Sequence, residues 1–313
     1  MKPQRRAPSQ KETDLRAFAW LSIAAAVVTI ALKSVAAWVT GSVGLLSDAF
    51  ESAVNLVAAV VALIALGAAA RPPDHRHPFG RGKAEYLSAG TEGGMIFVAA
   101  VAIVWTAIER LITPQPVEQF GVGLLISSAA TVINLVVGLT LIRQGRRHRS
   151  ITLEADGKHL LTDVWTSVGV LVGVGVVALT GWNRLDPILA LAVGINILVT
   201  GFGLLRRSGA GLLDVALPAA DQDRIAAVLR RYQESGITFH ALRTREAGRQ
   251  RFVYVHVLVP GAWTVQQGHD LLEELERDIA VALPGVTTFT HLEPLEDPAS
   301  HADQHLGDAR FRE

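Results

Sequence analysis

The chain has 313 residues, half of them hydrophobic, 19% charged and 6% aromatic. A soluble domain carries about 25% charged residues, so this composition disfavours one large water-soluble enzyme. Its apolar content also excludes disorder over most of the length. There is no cysteine, which removes disulfides, thiolate metal sites and a cysteine nucleophile, and leaves His, Asp, Glu, Asn and backbone oxygen to hold any metal.

The net charge of zero hides an asymmetry. Residues 1–207 carry 19 Lys and Arg against 13 Asp and Glu, whereas residues 208–313 carry 10 against 16. Six of the ten histidines lie in the second part. The chain therefore reads as an apolar, basic-edged part joined to an acidic, His-rich part.

In chain order, residues 1–16 form a polar lead, expected to be a cytoplasmic tail. Spanning a bilayer takes about 20 mostly apolar residues in a helix. Six stretches between 17 and 207 qualify: 17–39, 45–69, 86–112, 119–142, 159–180 and 185–205. Their many small residues suit close helix contact in lipid. Basic residues gather in alternate loops: Arg71, Arg76, Arg81 and Lys83, then Arg143, Arg146, Arg147 and Arg149. By the positive-inside rule both termini are expected in the cytoplasm. Lys33, in the first span, is expected to snorkel toward the outer surface.

After 207 the periodicity changes. A helix is expected at 219–235, strands at 237–246 and 251–259, a helix at 264–283 and a strand at 286–292, the order αββαβ of a small open-faced α+β domain. The alternation in Arg251–Val259, RFVYVHVLV, is that of a half-buried strand. Residues 208–293 form this cytosolic domain, and the polar stretch 294–313 is expected to be a disordered tail.

Ionisable groups inside the spans stand out because each costs roughly 2.5–3.5 kcal/mol to insert. In the second span Asp48 precedes Glu51 by one turn, and Glu51 and Asn55 are four apart on one face. In the fifth span His159 and Asp163 repeat the four-residue spacing. Two such pairs on facing helices supply four ligands, the coordination number of many divalent-metal sites. Asp48 by itself reads as a helix cap or interfacial group, and a lone buried His as a hydrogen-bonded structural residue. Glu92, between Gly90 and Gly93, either lines the same cavity or caps a close helix contact.

Together TGSVGLLSDAFESAVN, HPFGRGKAEYLSAG, the His159–Asp163 pair and LRTREAGRQRFVYVHVLV resemble the cation diffusion facilitator family over about residues 15–293. The resemblance implies a homodimeric exporter of Zn²⁺ or a related ion (Fe²⁺, Mn²⁺, Co²⁺, Cd²⁺), with six membrane helices, a metallochaperone-like cytosolic domain and protons as counter-ion. It implies a bacterial plasma membrane, a lipid bilayer as surroundings, and no nucleic-acid partner. The family's transport site maps onto Glu51, Asn55, His159 and Asp163, with Asn55 where an acidic residue is usual. Its loop site maps onto Asp74 and His77, with Arg81 in place of a second histidine. Its cytosolic ligands map onto His240, His256, His269 and His291, with Glu293 in place of an aspartate. Lacking a nucleotide motif such as GxxxxGK[ST], the chain is expected to run on the proton gradient. A metal sensor and a membrane metallohydrolase are the two rival readings.

Overall fold

The computed structural model describes residues 14–40, 43–113, 121–180 and 184–302. The chain divides into two compact units, Thr13–Leu212 and Leu213–Glu313.

The first unit is built of long helices: α1 (Arg16–Thr40), α2 (Val43–Ala69), α3 (Ala84–Ile112), α4 (Gly121–His148), α5 (Ile151–Thr180) and α6 (Leu185–Leu212). Their runs of Ala, Leu and Val face hydrocarbon readily, while the helix pairs interior backbone groups within the segment, as hydrocarbon requires. Within the described residues, Arg16–Val35, Ala84–Ile112, Ser128–His148 and Pro187–Leu212 are long and apolar enough to cross a membrane. Pro187 does not break α6, because it lies in the first turn, where the missing N–H is not needed.

Small residues set the helix spacing. A Cβ on Gly157 of α5 would stand 2.7 Å from the carbonyl oxygen of Gly138 on α4. A Cβ on Gly93 of α3 would meet Leu204 Cβ of α6 at 2.9 Å, and one on Gly201 would meet the Phe97 amide nitrogen at 2.9 Å. With no hydrophobic drive between helices in lipid, such close backbone contact holds the pairs together. Lys33 is 2% exposed, so its side chain is buried in the unit and does not lie along its surface as snorkelling requires.

The second unit contains α7 (Ala219–Gln233), β1 (Thr238–Ala247), β2 (Gln250–Val259), α8 (Val265–Ala282) and β3 (Val286–Pro294). The sheet order is β1-β2-β3, with β1 antiparallel and β3 parallel to β2. Alternation along β2 sends Val253, Val255, Val257 and Val259 into a core with Ile225 and Leu229 of α7 and Leu275 and Ile279 of α8. The helix α8 starts on a capping box: Gln267 N–H donates to Thr264 Oγ1 while Thr264 N–H donates to Gln267 Oε1. The opposite sheet face carries Tyr254 and Phe289, stacked at 4.9 Å between centroids, and the histidines described below.

The expectation of disorder from 294 onward does not hold for the described part. Strand β3 includes Pro294, and Pro298–His301 forms a 3₁₀ turn capped by Asp297, whose side chain accepts from Ala299 N–H. Ser300 is buried there, and His301 Nε2 lies 3.0 Å from the Leu295 carbonyl oxygen. The polar composition concealed an Asp-Pro cap, which satisfies the backbone locally. Residues 303–313 lie outside the described residues.

Candidate metal sites

In the first unit the paired spacings bring α2 and α5 together. Asn55, His159 and Asp163 are 3%, 7% and 6% exposed. Asn55 Oδ1 lies 2.5 Å from His159 Nε2, and Asn55 Nδ2 donates to Asp163 Oδ2. One amide thus bridges His159 and Asp163 of α5. With Oδ1 accepting, the Nε2 of His159 carries the proton, and its Nδ1 has no hydrogen-bond partner.

A residue of α4 joins them. Asn134 is 2% exposed, and its Nδ2 lies 3.5 Å from the same Asp163 Oδ2, while its Oδ1 has no partner. It stands one turn before Gly138, whose contact with Gly157 fixes α4 against the turn of α5 that carries His159. Asp48 and Glu51 lie on α2, but their side chains fall outside the described residues.

The loop between α2 and α3 is tied internally. Asp74 Oδ1 accepts from the backbone N–H groups of Arg76 at 3.0 Å and His77 at 2.8 Å. Arg81 forms an ion pair with Asp74 Oδ2 and donates through Nε to His77 Nδ1 at 3.2 Å. Partial desolvation by itself raises the Asp74 pKa. The hydrogen bonds from His77 and Arg76 and the Arg81 charge outweigh it and hold the carboxyl below its ordinary 3.8.

In the second unit the register places His240 opposite His256 and His256 opposite His291. Glu293 Oε2 lies 3.0 Å from His240 Nε2 and 3.2 Å from His256 Nδ1, and the two ring nitrogens are 3.2 Å apart. These three side chains could hold a metal ion. Ligands about 2.0–2.1 Å from a tetrahedral Zn²⁺ stand some 3.3 Å from each other, so the spacing and the donor types fit.

His291, with its side chain 65% exposed, reaches the edge of this group. Its Nε2 is 3.5 Å from Glu293 Oε1 and its ring 4.9 Å from that of His256. His269 lies exposed on α8 and is not one of the converging three. His301, left in the tail by its sequence context, has its ring 6.5 Å from that of His240.

The description "Cation efflux transmembrane domain" matches residues 19–213, and "Cation efflux protein, cytoplasmic domain" matches residues 217–295. The chain belongs to the cation diffusion facilitator, or cation efflux, family. It is a membrane transporter and not an enzyme. The chain is 53% identical over 291 residues, 92% of its own length and 94% of the other, to the uncharacterised transporter sll1263 of Synechocystis sp. (strain ATCC 27184 / PCC 6803 / Kazusa). It is 32% identical to the cation-efflux pump FieF of Citrobacter koseri (strain ATCC BAA-895 / CDC 4225-83 / SGSC4696), over 87% of this chain and 91% of that one. A solved structure of CzrB in a Zn form aligns at 36% identity over 26% of this chain and 93% of that one, with a TM-score of 0.25, a likeness too slight to bear on the fold.

For a cation efflux protein, two features escaped the residue spacing. Asn134 reaches Asp163 from α4, and a lone Asn in that helix carries no spacing signal. The convergence of His240 with Glu293 depends on a bulge: the β1–β2 register shifts between His240 and Arg243, where Ala241 takes φ 49°.

Proposed function

We propose that this cation efflux protein exports a divalent transition-metal ion from the cytoplasm through six membrane spans, exchanging it for protons by alternating access. Asn55, His159 and Asp163 hold the ion together with Glu51, and Asp48 lies one turn before Glu51. The convergence of one amide, one imidazole and one carboxylate from two helices in a buried spot supports this most. Their burial in hydrocarbon-length helices has no structural need that apolar side chains would not meet more cheaply.

In this reading the amide of Asn55 has two states. Without metal it bridges His159 and Asp163; with metal its carbonyl oxygen turns to the ion and frees both other ligands. Metal and protons compete because the ligands bind metal only when deprotonated. The donor set, with one amide and at most two carboxylates, is harder than a His-rich one and admits Fe²⁺ or Mn²⁺, while the Irving–Williams order keeps Zn²⁺ strong.

The cytosolic cluster of His240, His256 and Glu293, with His291 and His269 near or beside it, holds resident divalent metal in a homodimer whose two acidic domains would otherwise repel. In the loop, Arg81 takes the place of a cation between Asp74 and His77. Both termini face the cytoplasm of a bacterial cell, as the basic loops require.

Uptake into inverted vesicles of Zn²⁺, Fe²⁺, Mn²⁺, Co²⁺ and Cd²⁺, with and without a pH gradient, tests the proposal. Flux of one ion that collapses with the gradient is expected. Binding without flux would favour the sensor reading, for which Asn55 and Arg81 are the specific grounds.

A further inference from the structure

Two carboxylic side chains of the membrane unit take no part in the sites above. Glu92 on α3 and Asp156 on α5 are 0% and 1% exposed. Each keeps one oxygen on a serine: Ser88 Oγ donates to Glu92 Oε1 at 3.3 Å, and Ser22 Oγ of α1 donates to Asp156 Oδ1 at 3.0 Å. Among the described residues the other oxygens, Glu92 Oε2 and Asp156 Oδ2, have no hydrogen-bond partner. The two acids lie on packed turns, since Ala155, next to Asp156, shares a core with Ala89 and Ile96 on either side of Glu92, and among the described residues neither forms an ion pair.

The neighbouring charges are engaged elsewhere or lie along the helices. On α3, Glu85 accepts from Ser150. On α5, Glu154 pairs with Arg207 of α6 at 2.7 Å, Lys158 is half-buried, and His159 meets Asn55. On α1, Lys33 is eleven residues beyond Ser22, about 16 Å along the axis at 1.5 Å per residue. Two bare carboxylates buried side by side would cost several kcal/mol each. A bound cation or a proton must therefore accompany them. A proton, unlike a cation, needs no further oxygen ligands around it.

We infer that Glu92 and Asp156 form a proton-binding pair, distinct from the metal ligands, which holds at least one proton when no metal is bound. Asp156 precedes His159 by one turn of α5, so a divalent ion arriving at His159 repels that proton. The carboxyl O–H bond breaks, its electron pair stays on the oxygen, and the proton leaves along the serine-lined side. The proton so released is a counter-ion for the exchange, a role that rests on the exporter reading, whereas the proton site itself does not.

The test uses the full chain in liposomes, first without metal, by infrared absorption of the protonated-carboxyl C=O stretch at neutral pH. Wild type is expected to show the band, the Glu92→Gln, Asp156→Asn double variant to lose it, and Zn²⁺ to diminish it in wild type. Glu92→Gln is expected to keep metal binding while its uptake loses at least about fivefold of the response to a pH gradient, the lower end of coupling between two ligands. No band in wild type, or an unchanged band in the double variant, would overturn the inference. So would a wild-type band present only when sodium is absent, because the pair would then hold an alkali cation. If the double variant does not fold, Ser22→Ala keeps both acids and should shift the band; an unshifted band overturns the assignment. A wild type that keeps the band but moves no metal overturns the exporter reading and leaves the proton pair standing.

Discussion

The two clusters use similar donors in opposite ways. In the membrane unit the polar side chains bond to each other: Asn55 donates to Asp163 and meets His159, and Asn134 reaches the same carboxylate. On the exporter reading an ion entering there would break those hydrogen bonds. In the cytosolic unit two imidazoles and one carboxylate converge at 3.0–3.2 Å. On the exporter reading, side chains that partly satisfy one another in this way suit a passing cargo. Three converging metal-ligating side chains with no amide among them suit, on the same reading, a resident ion.

The sharpest way to break this comparison is Asp163→Ala. The only described carboxylate of the membrane cluster disappears, and with it both amides lose an acceptor. Metal flux should fall by at least about 100-fold, the upper range for disturbed metal sites, while Zn²⁺ binding to the cytosolic unit stays unchanged. Retained flux would place the ion elsewhere.

The converse substitution, Glu293→Ala, should leave vesicle uptake measurable and abolish metal-dependent stabilisation of the cytosolic unit. A hundredfold excess of metal over Kd stabilises by about 2.7 kcal/mol, readable as a melting shift that wild type shows and the variant does not. His291→Ala should remove less of it, because the ring lies at the rim with its side chain 65% exposed. Equal losses would mean that the cluster is centred on His291.

A smaller change sharpens the role of Asn55. Asn55→Asp gives the membrane site a second carboxylate and removes the donor that quiets Asp163. Metal affinity by isothermal titration should rise about tenfold, or 1.4 kcal/mol, and the pH dependence of binding should steepen with the added proton acceptor. Affinity unchanged at neutral pH would show that Asn55 does not face the ion.

The smallest effect concerns the loop. Arg81→His exchanges the guanidinium for a donor beside Asp74 and His77, and equilibrium dialysis should find about one more bound Zn²⁺ per chain, an exposed and weakly held site. In wild type the Asp74 carboxyl has its pKa lowered on folding. Its contribution to the loop is therefore present above the ordinary value of 3.8 and lost as pH falls through the lower folded value. Hydrogen exchange of the His77 amide should accelerate only at that acid end.

Much of this was legible in residue order. Apolar runs of about 20 residues can do little in water except enter a membrane or a core, and four-residue spacing puts Glu51 with Asn55, and His159 with Asp163, on single helix faces whatever surrounds them. Period-two alternation in Arg251–Val259 likewise separated His256 from the core valines before any partner was known. The five cytosolic elements follow the expected order, with each observed boundary within two residues of the expected one. The misjudged tail shows the limit of composition, because Pro294–Ala302 is polar and still ordered by local caps.

Which side chains meet is another matter, since it depends on helix packing and strand register. Asn134 joins Asp163 because Gly138 and Gly157 let α4 and α5 touch. Glu92 and Asp156 become neighbours only when α3 and α5 pack together; apart, each would be a lone acid in a span. In β1, strict alternation would keep His240 in phase with Leu242 and Thr244. The bulge at Ala241 puts it in phase with Arg243 and Arg245 instead, and so over Glu293. Residue order carried the apolar stretches, the small domain and the polar side chains placed within the helices, because those follow from periodicity and solvation along one chain. The partners were decided by tertiary structure, because contacts between residues distant in the chain are set by close packing and a single inserted residue can turn a strand's faces.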